Sequence, residues 1–447
     1  MKRHPREGAK AAREGLERQL GRPVSRRDFL RYGAGAAVSV PALSAILAAC
    51  GSNPRTTETA AFEVATRENP VRLPVIGEPI ADNLEPEKGA TLQLYNWDAY
   101  IWQHVIKDFC AEYDCDYEIT TFNNMEEAVG KIQTGQLEFD VWFPTYDQLG
   151  KFVEGGFIMP LNHSYIPNLE ANAWDVFQNP FYDQEWQYSV PYTVYTTGIA
   201  YRRDRIGDDE VSGAENPRAL LWDSAYADKV GVYDSYRDTL GFALQKLGIN
   251  DLNTEDAAQI TQAKDALIEL IDAVNVRATI NGAYAKLPKG EYTLHESWSG
   301  DIVAGWGYTP KYTQSDYETL GYWSDPDVTK RPADNDLIVV GGNAKSPVLA
   351  HLFLNWMLDF QHAMDNFSWN GYQPPQKQAD PDSLTSMQGL YSKISGSWAA
   401  PITYVPEWMS TAVVREDDLA QGLRVHELSP DGDQRWNDAW QEFKAGA

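Results

Sequence analysis

Among its 447 residues the chain has only 3 Cys, 7 His and 38 Lys and Arg, against 64 Asp and Glu. Each shortage excludes something. The histidines are scattered without ligand or relay spacing. No Gly-x-Ser-x-Gly elbow, His-Glu-x-x-His helix or phosphate-cradling glycine loop occurs, so the usual signatures of serine hydrolases, metalloproteases and nucleotide-using enzymes are missing. No metal site and no cofactor is expected. A net charge of −26 argues against nucleic acid and other polyanions, and favours a cationic ligand, a salty milieu or plain solubility. Internal repeats, coiled coils and low-complexity tracts are absent. An exported hydrolase built from two distant carboxylates needs no short motif and stays open as the rival class.

Apolar and aromatic residues are abundant, at 43% and 12%, with 15 Trp and 24 Tyr, enough to bury the cores of two lobes. The charge is uneven. Residues 1–49 hold 10 basic and 4 acidic side chains, leaving 28 basic against 60 acidic residues from Cys50 onward. The basic head contains Ser25-Arg26-Arg27-Asp28-Phe29-Leu30-Arg31 and runs into a short, weakly apolar, Gly- and Ala-rich stretch from Tyr32 to Ala49. It resembles a twin-arginine export signal, and Leu47-Ala48-Ala49-Cys50 before Gly51 resembles the lipobox of bacterial lipoproteins. Residues 1–49 are therefore read as a signal peptide carrying Arg26 and Arg27, with Cys50 as the lipidated residue and 50–88 as a flexible tether. The expected location is the outer side of the cytoplasmic membrane, in the periplasm or at the cell surface, after export by the Tat route. Cys110 and Cys115 then remain, either as a disulfide or as two buried thiols.

From Thr91 to Gly156 apolar periodicity alternates between strand and helix three times, as in βαβ repeats around a parallel sheet. Further strands are expected at Thr197–Tyr201, Val230–Tyr233, Leu294–Trp298 and Leu337–Val340, and helices at Thr239–Leu247 and Ala257–Val274. One long helix is expected over Ser346–Phe367, and a last one over Trp436–Phe443. In open α/β sheets ligands bind beyond the carboxyl ends of the strands. Trp97-Asp98-Ala99-Tyr100 and Pro144-Thr145-Tyr146-Asp147 both lie there. Aromatic faces attract cations and also stack on sugars, so composition leaves those two ligand classes open.

The order of several segments resembles the extracellular solute-binding proteins of ABC importers, most closely their spermidine/putrescine-binding branch. These are Leu94-Tyr95-Asn96-Trp97-Asp98-Ala99-Tyr100, Phe139-Asp140-Val141 with Pro144-Thr145-Tyr146, Ser189-Val190-Pro191-Tyr192, Asp234-Ser235-Tyr236-Arg237-Asp238, Trp298-Ser299-Gly300, Asn343-Ala344-Lys345, Gly371-Tyr372 and Trp440 to Gly446. The resemblance implies an α/β, two-lobed type II periplasmic-binding-protein fold, each lobe a mixed sheet flanked by helices, with the ligand cleft between them. Lobe 1 would comprise 89–195 plus about 334–385, and lobe 2 about 196–333 plus 386–447. It further implies a non-enzymatic, monomeric binding component that delivers a putrescine- or spermidine-like amine to an ABC permease and its ATPase. Another solute, a sugar or a zwitterion, is the alternative within the fold. By the same resemblance the ligand-binding residues are Trp97, Asp98, Tyr100, Thr145, Tyr146, Asp234, Ser235, Asp238, Trp298, Asn335, Asp336 and Tyr372. The chain departs from the pattern at Ala99 and Ser235, where acids are expected, and at Asn335, where the acid of the later strand aligns most simply.

Overall fold

The computed structural model describes residues 64–385, apart from 136 and 312, and residues 405–446. The predicted signal peptide, its Arg26 and Arg27, Cys50 and the first part of the tether lie outside the described residues.

Strand β1 (Thr91–Trp97) pairs in parallel with β2 (Asp116–Phe122) and with the two-residue β3 (Val141–Trp142). The intervening helices α1 (Gln103–Tyr113) and α2 (Met125–Gln133) complete the expected βαβ pattern. Asn124 caps α2 by accepting from the Glu127 N–H. β4 (Ser189–Arg202) is the longest strand and buried along all but its last residue. Its first half lies antiparallel to β9 (Ala333–Val340), which in turn lies antiparallel to β3.

From Thr197 onward the same strand changes partners. It pairs with β7 (Leu294–Trp298) and β8 (Leu320–Trp323), and β7 continues in parallel to β5 (Val230–Val232) and β6 (Arg277–Ala278). The result is two mixed half-sheets that share β4, in the order β2-β1-β3-β9-β4-β7-β5-β6. Each half has its own apolar cores. Phe109, Val190 and Phe353 mark the first, and Leu240, Leu267 and Trp440 the second. The second is faced by α3 (Tyr236–Lys246), α4 (Ala257–Val274) and the C-terminal Pro430–Gly446 helix. Val414 and Leu419, near the C-terminus, pack instead in the first.

Two expectations are corrected. The single helix over Ser346–Phe367 is two, α5 (Pro347–Met357) and α6 (Phe360–Asn370). Asp359 stands between them in an extended conformation, and its carboxylate accepts from the Gln361 and His362 N–H groups, so a new N-terminus is capped where the apolar pattern runs on. Residues 64–88 contain no helix or strand, yet they are bound to the domain instead of hanging from it. The Arg67 guanidinium donates to the carbonyls of Leu419, Ala420 and Gly422, Leu73 enters a core with Tyr182 and Tyr188, and Glu87 accepts from the N–H groups of Val348 and Leu349 at the start of α5. A segment tied down by partners far along the chain shows no period of its own. The Cys110 and Cys115 sulfurs lie 3.0 Å apart as thiols, joining the end of α1 to the entry of β2.

Candidate functional site: an acidic, aromatic cleft between the half-sheets

The carboxyl ends of β1, β3, β5 and β7 converge. β1 delivers Trp97 and turns through Ala99, whose φ of 52° is left-handed. β3 leads into Thr145 and Tyr146, β5 leads to Tyr233 and to Ser235 at the start of α3, and β7 ends on Trp298. The cleft they form contains about 1120 Å³ of space free of atoms, its open mouth included.

Two indoles define its walls. The Trp97 N–H donates to the Phe143 carbonyl at 2.9 Å, and the Trp298 N–H donates to Asp238 Oδ1 at 2.9 Å. Their rings meet edge to face at 6.3 Å, and Tyr233 backs Trp298 in a parallel stack at 3.9 Å. Deeper in, Tyr100 and Tyr372 cross edge to face at 4.8 Å. Such rings are fixed in place before any ligand arrives, and their π faces favour a cation by roughly 0.5–2 kcal/mol per contact.

Seven carboxylates line the cleft: Asp98, Glu126, Asp147, Asp238, Asp301, Asp334 and Asp336. Among the described residues Arg237 is the only cation in the lining, and it is occupied by the carbonyls of His426 and Leu252, by Asn253 Oδ1 at 2.7 Å, and by Asp147 at 4.0 Å. Asp336 accepts from the Tyr100 hydroxyl at 2.6 Å, Asp301 from Tyr372 at 2.7 Å and Tyr233 at 2.8 Å, and Asp238 from Ser235 at 2.6 Å besides Trp298. Among the described residues no ion pair reaches these three. Burial accordingly pushes Asp336 and Asp301 up to about 7, against the downward pull of their hydroxyl donors, and raises Asp238 as well. The groups that hydrogen-bond these carboxylates are all neutral donors, and the charges nearest Asp336 and Asp238 are further carboxylates, so a positive charge is what the site lacks.

Of the twelve sequence-predicted ligand residues, ten line this cleft: Trp97, Asp98, Tyr100, Thr145, Tyr146, Ser235, Asp238, Trp298, Asp336 and Tyr372. Two do not. Asn335 is turned away because side chains alternate along β9: Asp334 and Asp336 face the cleft, while Asn335 bonds to Tyr182 and Arg424 on the other side. Asp234 points outward to Lys444 at 3.3 Å. Asp147, Asp301, Asp334, Glu126, Tyr195, Tyr284 and Tyr308 were missed. The first two each lie within three residues of a quoted motif, so the signal was there. For the tyrosines nothing local distinguishes lining from core. Asp140, inside a motif, serves the fold: it accepts from the N–H groups of Gln93, Lys345 and Ser346.

Residues 104–390 match the profile of the bacterial extracellular solute-binding protein family. The chain belongs to that family. It is thus a binding protein and not an enzyme, and the rival reading as a carboxylate-based hydrolase is set aside. Among relatives, the chain is 26% identical over 344 residues to the spermidine/putrescine-binding periplasmic protein 1 of Haemophilus influenzae, covering 75% of this chain and 87% of that one. It is 25% identical to a putrescine/cadaverine-binding protein of Pseudomonas aeruginosa, over 69% of this solute-binding chain and 86% of the relative. A solved structure described as a putative spermidine/putrescine ABC transporter from Listeria monocytogenes superposes with a TM-score of 0.63 at 24% identity, over 79% and 98% of the two chains, and shows that the fold is shared.

Proposed function

We propose that this solute-binding protein is the capture component of an ABC importer for a small cationic amine of the putrescine or spermidine kind. The observation that carries the reading is the set of three carboxylates, the buried Asp301 and Asp336 and the half-buried Asp238, held by neutral donors between aromatic walls with no ion-paired cation among the described residues. An ammonium group bound there restores charge balance that the fold itself leaves open. The likeness to amine-binding relatives points the same way. Titration calorimetry with a panel of polyamines, amino acids and sugars tests it: micromolar or tighter binding of a di- or polyamine is expected, and binding of a sugar alone overturns it.

The delivery route belongs to the same proposal. The lobes, 89–195 plus about 334–385 and about 196–333 plus 386–447, the last with Val414 and Leu419 packed into the first core instead, would close on the amine by bending where β4 passes between the half-sheets. The closed form would dock on a permease with its ATPase, acting as a monomer tethered through lipid on Cys50 after Tat export directed by Arg26 and Arg27. Once outside, Cys110 and Cys115 would pass two electrons and two protons to a disulfide-exchange oxidant and become joined. Mass spectrometry of the exported protein, for N-terminal lipid and for the disulfide, checks both modifications.

A further inference from the structure

One end of the cleft already holds a cation of the protein's own. Arg424 is buried behind the wall formed by Tyr146 and Asp334. Its Nε donates to Asp334 Oδ1 at 3.0 Å and to the Tyr146 hydroxyl at 3.2 Å, and its Nη2 donates to Asn335 Oδ1 at 2.5 Å. The guanidinium carbon lies 4.7 Å from the centre of the Tyr146 ring and 5.5 Å from that of Phe181. A carboxylate flanked by aromatic faces is the same chemistry that the rest of the cleft offers to a ligand, but here the chain supplies the charge. The Tyr146 hydroxyl is likewise committed, its one proton shared between Asp334 and the Val425 carbonyl, and Asp334 Oδ1 also accepts from the Val425 N–H. Among the described residues nothing comparable neutralises Asp336, Asp238 or Asp301.

We infer that Arg424 sets the length and charge of the ligand: it withdraws Asp334 and Tyr146 from amine recognition, so the cleft prefers a diamine over a triamine. This rests on the amine reading above. A third ammonium reaching the Asp334 end would be desolvated beside a carboxylate already satisfied, one ring's thickness from a fixed positive charge. A diamine needs only the uncompensated carboxylates. Arg424 does not touch the ligand in this account and acts through Asp334 and Tyr146, as a positioning and specificity-determining residue.

The test is calorimetric titration of the full chain and of Arg424→Gln with putrescine and with spermidine. The wild type is expected to bind putrescine at least tenfold tighter than spermidine, and in Arg424→Gln the ratio of the two dissociation constants is expected to move at least tenfold toward spermidine. Arg424→Lys, which keeps the cation, is expected to retain the wild-type order. If the glutamine variant does not fold, the wild-type ratio and the lysine variant still decide. Equal or tighter binding of spermidine by the wild type overturns the inference, as does a ratio unmoved in Arg424→Gln, and both leave the amine reading intact. Binding of neither amine by the wild type overturns the amine reading and the inference with it.

Discussion

Trp97 is both wall and core. Its indole N–H is held by Phe143 and one side of its ring packs on Phe122 at 4.7 Å, while the rest faces the cleft. Trp97→Ala is therefore expected to weaken amine binding about tenfold or more and to cost the apo protein about 1–3 kcal/mol, read by calorimetry and by chemical denaturation. Asp336 is a cleaner probe, because its principal partner is the Tyr100 hydroxyl, which can donate to an amide oxygen equally well. Asp336→Asn should lower affinity at least tenfold while keeping or raising apo stability at neutral pH, since an uncompensated buried acid is removed. Ala99 shows how a departure from the family pattern looks in three dimensions. It occupies a left-handed turn that Asp or Asn would tolerate better, and it also lines the cleft. Asp98, beside it, is exposed at the mouth and engages Tyr284, whose hydroxyl is raised first by burial and further by the nearby Asp301 and Asp98 charges.

At the scale of elements, the most instructive miss is β9. The sequence reading placed the adjacent Asn335 and Asp336 together at the ligand, but a strand sends alternate side chains to opposite faces, so Asp336, with Asp334, meets the cleft and Asn335 does not. Only pairing with β4 and β3 establishes that this segment is strand throughout. The split between α5 and α6 was missed for the opposite reason, since a local capping bond at Asp359 overrode a continuous apolar stripe. That split lets α6 end at Gly371, with φ of 75°, and turn Tyr372 into the site. A Cβ at Gly371 would lie 2.3 Å from the Gly300 carbonyl, in the helix that follows Trp298. Gly371→Ala is expected to cost about 2 kcal/mol or more and to weaken binding by displacing Tyr372, whereas Gly→Ala at the half-buried Gly130 inside α2, with open space where the Cβ would go, should stabilise slightly. The N-terminal segment makes a similar point: deleting residues 64–88 removes Arg67, Leu73 and Glu87 from their partners and is expected to lower the melting temperature by several degrees.

For the whole molecule, stability and binding are linked through the same acids. Asp301 and Asp336 sit near 3.8 when exposed and near 7 in the folded apo state, so the native state binds more protons across that range. Their contribution to apo stability is thus largest at or below about pH 4 and is lost as pH rises toward 7 and beyond. A bound diamine favours the ionised forms. Amine affinity is therefore expected to rise between pH 6 and 8 with proton release on binding, seen as a dependence of the calorimetric heat on buffer ionisation. The thermal stabilisation by ligand should also grow with pH, superimposed on about 2.7 kcal/mol at a hundredfold excess over the dissociation constant. A pH-independent affinity would mean that Asp301 and Asp336 stay ionised in the apo state.

The sequence by itself determined the α/β class, most of the strands and helices, the aromatic and acidic character of the strand ends, and the order of motifs that marks the family. These are local or additive properties: periodicity, composition and spacing along the chain. Only the tertiary structure decided which acids share one cavity. Asp147, Asp301 and Asp334 come from three distant segments, and whether each is neutralised depends on neighbours, such as Arg424 beside Asp334, that no spacing rule connects to them. Electrostatic balance in a buried site is a sum over everything packed around it, and that sum exists only once the half-sheets have been brought together along β4.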